Sequence, residues 1–301
     1  MTKIVDGSSV YGDTWAQGGS VEVMEFVSAD GLSAQFDVMH GAYGRFMLPV
    51  ELYDEIVPLQ AGSRFIGARH GTRALVLPVY LDGPVSGRLA LRALARVLDP
   101  MRGVGTLRVL YGQNPGRQIA VVYEGGLEVL DESWADRATP VLAFRAFDPY
   151  WTDASEQTTI VTPGSNVAAI WFNVWTTWFP LSFSSSSVFA DLAITNTSDV
   201  VVWPIITTTG PGDDLIVANM TTNQALSLPG HVADASLIVF DSRPGYKTAT
   251  RDGANCFAQL ASTSAFWPLL PGTNRVTIQF TNITQARSQV QISFRPRYLA
   301  A

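Results

Sequence analysis

Chemistry at a protein surface needs groups that can converge, so the histidines, the paired carboxylates and the thiol are weighed first. His40, His70 and His231 are isolated in the sequence, which leaves no His-x-x-x-His pair of the kind that holds zinc on a helix. Asp54-Glu55 and Asp213-Asp214 are adjacent carboxylates. Neighbours in an extended chain point to opposite faces, and in loops such pairs face water, so neither pair is placed for joint acid–base work. Cys256 stands alone, which excludes an intrachain disulfide, argues against a thiolate metal site and suits a small buried side chain. Gly103-Val-Gly105 follows a helical pattern and precedes a strand, whereas phosphate-cradling loops need strand, glycines, then helix. Neither a Gly-x-Ser-x-Gly elbow nor a Gly-x-x-x-x-Gly-Lys-Ser/Thr loop occurs. The expectation is therefore no catalytic residue, no metal and no cofactor, and a protein that is not an enzyme.

Two groups remain as candidates for binding. Arg88, Arg92 and Arg96 recur every fourth residue, so on a helix they form a row. That row is either a solvated face opposite an apolar stripe or a contact for carboxylates of a neighbouring subunit, which guanidinium forks pair with well. Trp171, Trp175 and Trp178 lie in an aromatic stretch followed by serines. They are either core or subunit-interface packing or an exposed platform for sugar rings or a partner. Asn196-Thr-Ser, Asn219-Met-Thr and Asn282-Ile-Thr match the glycan acceptor pattern but read as turn and strand chemistry.

At 301 residues the chain is long enough for two domains with separate cores. Apolar residues make up 47% and charged residues 15%, a balance that excludes dominant disorder and fits a component of an assembly. The basic residues are 18 Arg and only Lys3 and Lys247. Acids exceed them on both sides of Trp151, giving −4 before and −2 after, so neither half has the basic footprint that grips nucleic acid. No apolar run long enough to span a bilayer occurs, and Met1-Thr-Lys-Ile-Val-Asp-Gly lacks the apolar stretch of a secretory signal. The expectation is a chain neither exported by that route nor inserted in a membrane.

The elements that must position these groups change character half-way. Residues 20–38 read as two strands joined by a tight turn at Asp30-Gly31. Short extended pieces flank residues 57–65, and Arg73–Leu81 is a strand in which Pro78 points to an edge or a bulge. From about 86 to 98 the period becomes helical, with Ala90, Leu94, Val97 and Leu98 as the stripe, Ser86 as a cap and Pro100 as the stop. A meander follows, through Thr106–Tyr111, a loop at residues 113–117, Ile119–Tyr123, a Gly125-Gly126 turn and Leu127–Leu130. It ends in Val141–Trp151, where Leu142, Phe144 and Ala146 share a strand face opposite Arg145 and Asp148-Pro149 stops the strand. Beyond it, short strands with turn residues every 8 to 12 positions predict a sandwich. The boundary falls near 152, giving domains 1–152 and 153–301.

The order Arg73-Ala-Leu-Val-Leu-Pro-Val-Tyr-Leu-Asp-Gly, arginine–leucine helix, Gly105-Thr-Leu-Arg-Val, Tyr123-Glu-Gly-Gly and Phe144 to Trp151 resembles the amino-terminal domain of the distal tail protein family (Dit) of long-tailed bacteriophages. Asn196-Thr-Ser, Trp203-Pro-Ile-Ile, Gly210-Pro and Trp267-Pro-Leu-Leu-Pro-Gly-Thr-Asn look like the galectin-like sandwich that ends such minor tail proteins. The resemblance implies a mainly β fold: a β-rich tail-ring domain with one helix, then a galectin-like β-sandwich. It also implies a homo-hexameric ring in the virion, at the end of the tail tube. The tube protein and a tail hub or tip protein would be its partners, and DNA would pass through the lumen without specific binding. In some relatives the last strand returns to the first domain. The alternative is a carbohydrate-binding module of the adsorption apparatus, which a galectin-like sheet suggests by analogy of fold.

Overall fold

The computed structural model describes residues 3–5, 23–56, 58–59, 61–82, 87–111, 114–127, 137–138, 140–162, 188–284 and 287–301. The chain is mainly β, and it divides into two compact units, Met1–Ala154 with Tyr298–Ala301, and Ser155–Arg297.

The first unit comprises β1 (Lys3–Val5), β2 (Val23–Val27), β3 (Ser33–Val38), β4 (Val50–Ile56), β5 (Ser63–His70), β6 (Arg73–Asp82), α1 (Gly87–Leu98), β7 (Gly105–Tyr111), β8 (Asn114–Gly125), β9 (Arg137–Ala138), β10 (Val141–Ala146) and β11 (Trp151–Asp153). Alternation sends one face of each main strand inward: Met24 and Phe26, Ala34 and Phe36, Leu75, Leu77 and Val79, Leu107 and Val109, Ile119 and Val121, Leu142, Phe144 and Ala146. The strands run β3-β2-β7-β8-β10-β6, and β6 also pairs with β3 at Asp37↔Tyr80 and Val38↔Val79, so the path closes on itself round one core. Helix α1 adds Leu91, Leu94, Val97 and Leu98 to that core. Its expected stripe is observed at Leu94, Val97 and Leu98 with Leu91 in addition, while Ser86 lies outside the described residues. Pro100 ends the helix and opens a 3-10 turn, Pro100–Arg102, capped by Asp99, whose carboxylate accepts the Met101 N–H at 3.0 Å.

Three local readings are corrected. Strand β6 is not a free edge, because it pairs with β10 along residues 73–78; Pro78 lies where its other partner changes, between the Tyr43↔Val76 bridge and the pairing with β3. Residues 114–117 belong to β8, with Pro115 opposite Leu110, and the extra residue is absorbed as an irregularity between Arg108 and Leu110. The β2–β3 connection spans residues 28–32, drawn together by the Ser28 hydroxyl on Asp30 and on the Leu32 carbonyl. The expected turn glycine at 126 has φ +117°, and a Cβ there would collide with the Val141 carbonyl, so only glycine fits. The expected strand at residues 128–130 lies outside the described residues.

The hairpin β4–β5 pairs only with itself among the described residues, and all but one of its residues are exposed.

The second unit comprises β12 (Gln157–Val161), β13 (Val188–Asn196), β14 (Ile205–Thr209), β15 (Gly212–Asn219), β16 (Gln224–Val232), β17 (Leu237–Asp241), β18 (Thr248–Arg251), β19 (Ala254–Asn255), β20 (Gly272–Thr281) and β21 (Gln289–Phe294), while β22 (Arg297–Tyr298) crosses back into the first unit. Two antiparallel sheets, β12-β21-β14-β17-β18-β19 and β13-β20-β15-β16, enclose one core. One sheet contributes Ile206, Ile238, Phe240 and Ile292, the other Leu192, Val217, Leu228 and Ile278. Trp267 is buried beside them and its indole N–H donates to the Val217 carbonyl at 3.1 Å. Polar turn residues are also inside. Buried Asn196 donates to the Leu269 carbonyl and accepts the Ser198 N–H; buried Asn219 donates to the Pro268 carbonyl and accepts the Thr221 N–H. These two of the three acceptor-pattern asparagines are thus turn chemistry, as the sequence indicated.

Phe240→Ala removes a fully buried ring and is expected to destabilise the second unit by about 3–5 kcal/mol, whereas Ile160→Ala, on an exposed site of β12, changes stability by less than about 0.5 kcal/mol. Urea unfolding of both variants measures the contrast.

Candidate functional site

Several of the groups that might do chemistry are tied to local structure. The His70 ring lies 2.7 Å, through Nδ1, from the Tyr150 hydroxyl, and His231 Nδ1 lies 2.6 Å from Asp213 Oδ1. Asn282 donates to the other oxygen of Asp213 at 2.6 Å, and that hydrogen bond, followed by the one from His231, holds the carboxyl below its ordinary value. Asp214 takes a left-handed backbone, φ 51°, and accepts the Gly230 N–H at 2.8 Å. The adjacent pair therefore splits as expected, but rather than simply facing water the two carboxylates tie down the irregular start of the β15–β16 pairing. Cys256 is buried, and burial pushes its thiol up, away from the reactive thiolate. Among the described residues no three of His, Cys, Asp and Glu are grouped so as to hold a metal ion, and no helix is long and apolar enough to cross a membrane.

Of the residues proposed for an interface, Arg92 and Arg96 are exposed on α1, opposite its buried stripe. Arg88 lies in the first turn of the same helix, and nothing is described of its side chain. Trp171, Trp175 and Trp178 lie outside the described residues.

The most constrained charged group is one that sequence reasoning passed over. Arg73, at the start of β6, is fully buried, and its guanidinium donates through Nη1 to the carbonyls of Gly44 (3.0 Å) and Arg45 (3.1 Å) and through Nη2 to that of Leu299 (2.6 Å). Its guanidinium carbon stands 6.0 Å from the ring centre of Trp151, whose N–H donates to the same Arg45 carbonyl at 3.1 Å. Residues 298–301 are held again by Arg117, which lies 3.8 Å over the Tyr298 ring and donates to the Ala300 carbonyl. The Tyr298 hydroxyl on Asp153 (3.0 Å) and the Ala301 N–H on the Arg45 carbonyl (3.0 Å) complete the hold. Burial lowers the Arg73 pKa to about 10, which leaves it cationic at neutral pH. No local pattern announces this clamp, because its partners are carbonyls, which every residue carries.

This arrangement binds the chain to itself. Residues 197–298 match the family model of the siphovirus-type tail component, C-terminal domain. That match covers most of the second unit. Among solved structures the chain resembles the Dit protein of phage SPP1, described as a paradigm of the hub adsorption apparatus in phages infecting Gram-positive bacteria. The TM-score is 0.62 at 13% identity, covering 91% of this chain and 98% of that one. It also resembles a chain of the phage P2 baseplate in its activated conformation with Ca, with a TM-score of 0.50 at 9% identity, covering 93% and 99% respectively. At these identities the likeness is one of fold. No curated protein sequence matches the chain. The resemblance to the distal tail family that the sequence carried is borne out by the family match together with that fold.

Two predictions follow from this geometry. Arg73→Met strips buried carbonyls of their donor and is expected to lower the stability of the first unit by roughly 3 kcal/mol, read as a shift of the urea midpoint. In the second unit, Arg275 holds the Asp191 carboxyl, Asn282 and His231 that of Asp213, and the Leu237 N–H and Ser236 that of Asp252, all below the ordinary value of 3.8. Burial pushes Asp241 up, but Arg243 outweighs it, so that carboxyl is lowered too. Folded carboxyls with depressed pKa bind fewer protons than unfolded ones, so their stabilisation is complete above the unfolded value and is lost as pH falls through the folded values. Urea midpoints are expected to stay nearly level from about pH 7 to 5 and to fall progressively below about pH 4, with Asp241→Asn showing a shallower fall.

Proposed function

We propose that this chain is a ring-forming structural component of a phage tail tip, with no enzymatic role. In this reading the first unit builds a homo-hexameric ring on the distal end of the tail tube, and the second faces outward toward hub or baseplate proteins. The family match of residues 197–298 carries the reading, and the fold shared with SPP1 Dit over almost the whole of both chains supports it. The chemistry agrees: His231, Asp213 and Asp214 tie down the β15–β16 pairing, and charge is sparse. The protein would then reside in the virion, and DNA would traverse the ring without being retained, an arrangement compatible with a net charge of −6.

Purified full-length protein, or native tails, imaged by cryo-electron microscopy test this. The expected result is a closed six-membered ring, each contact burying well above about 1,200 Å² in total, with a lumen lined by acidic or neutral side chains. A monomer at all concentrations that is also absent from isolated tails would overturn the proposal. Glycan-array binding by that monomer would point to the carbohydrate module instead. An arginine-lined bore would sink the account of DNA passage alone.

A further inference from the structure

The arm formed by β4 and β5 has two unlike faces. On one, Glu51 stands opposite Arg69 and pairs with it at 2.5 Å, and Arg69 lies 5.7 Å from the Tyr53 ring centre, so that face satisfies its own polar groups. Strand alternation puts Val50, Leu52 and Ile56 on the other, with Phe65 across from Asp54 and Ile66 set in the bulge beside it. Leu52, Ile56 and Phe65 are 67%, 80% and 65% exposed. A two-stranded hairpin so bare is marginal in water, and an apolar surface of this kind marks a contact.

A second surface of the same unit has the complementary composition. Just past α1, Met101 is 90% exposed and Val104 is exposed as well. On the helix itself Arg92 and Arg96 are exposed and, among the described residues, have no carboxylate partner. Asp54, near the tip of the arm and across from Phe65 on the apolar face, is likewise exposed and without a cationic partner among the described residues, whereas Glu55 lies on the other face opposite Arg64.

We infer that the β4–β5 arm of one copy docks on the α1 end of a second copy, Leu52, Ile56 and Phe65 covering Met101 and Val104 while Asp54, on the same face, meets Arg92 and Arg96. The inference rests on the ring reading above and names the surfaces that make the contact. Donor and receiver are different patches, so the contact is head-to-tail, the class that closes into rings. A symmetric pairing of two arms would stop at a dimer and leave the arginines unused.

Single-cysteine variants of the full chain, Leu52→Cys and Met101→Cys, one carrying a mass tag, test it when mixed and joined with a short bis-maleimide. The parent chain, whose Cys256 is buried, is the control. The mixed product is expected to exceed either self-product about tenfold; Asp54→Arg or Arg96→Glu alone should cut it about tenfold, and the two reversals divided between partners should restore it. Matching melting curves confirm that the variants fold. Oligomers that form without the mixed product, or with the Leu52→Cys self-product dominant, overturn the docking and leave the ring intact. Absence of any self-association overturns both.

Discussion

Arg73 is a buried cation whose described partners are backbone carbonyls rather than a carboxylate, and the first unit is assembled around satisfying it. A guanidinium taken out of water must recover its hydrogen bonds, and this one recovers three through its Nη atoms from two distant places, residues 44–45 and Leu299, while its buried Nε is left without a partner. The loop before β4 and residues 298–301 are therefore not optional trim. Without Leu299 the shortest of the three bonds is lost, and the aromatic and amide contacts round Trp151 and Tyr298 lose their alignment. The contact spans 226 residues of sequence, so loop closure over the whole second unit must be met before the first is complete. The second unit can close its own core first, since its sheets draw only on residues within 157–294.

The second unit solves its polar problem by different means. Its connections enter the core, and each buried turn supplies its own donors: Asn196, Asn219 and Asn274 use side-chain amides where strands would use backbone. Pro204 and Pro268 carry no N–H, and beside the second the carbonyls of 268 and 269 accept from the Asn219 and Asn196 amides.

Much of this was legible in the sequence. The helix, the alternation of the β2–β3 and β6–β10 strands, the stop at Asp148-Pro149 and the sandwich strands all follow from periodicity and turn chemistry, which are local properties. What was not legible is non-local. Pro78 reads as an edge signal because a proline lacks an N–H, yet it fits inside a closed path where the strand changes partner. Residues 114–117 read as a loop from Asn-Pro-Gly but are carried as strand by β7. Arg73 looks like any charge flanking a strand, since nothing in its neighbours shows that Leu299 will sit against it. The β4–β5 arm has alternation without a core to receive it, and a pattern cannot say where its apolar face goes.

That arm also bears on which forces could hold copies of this chain together. With only 15% charged residues, electrostatics is a minor source of affinity here. An exposed ion pair contributes about 0–1 kcal/mol and weakens with salt, whereas burying a large aliphatic or aromatic side chain contributes about 1.5–3 kcal/mol. Three or four such side chains on one hairpin face outweigh any plausible set of surface arginine–carboxylate pairs. The arginines of α1 would then matter for direction rather than strength: like charges set against them are penalised, so they select which surface an apolar arm can land on and in what orientation. A repeating assembly needs both properties at once, strong enough contact to persist and enough directionality for each copy to receive the next in the same pose.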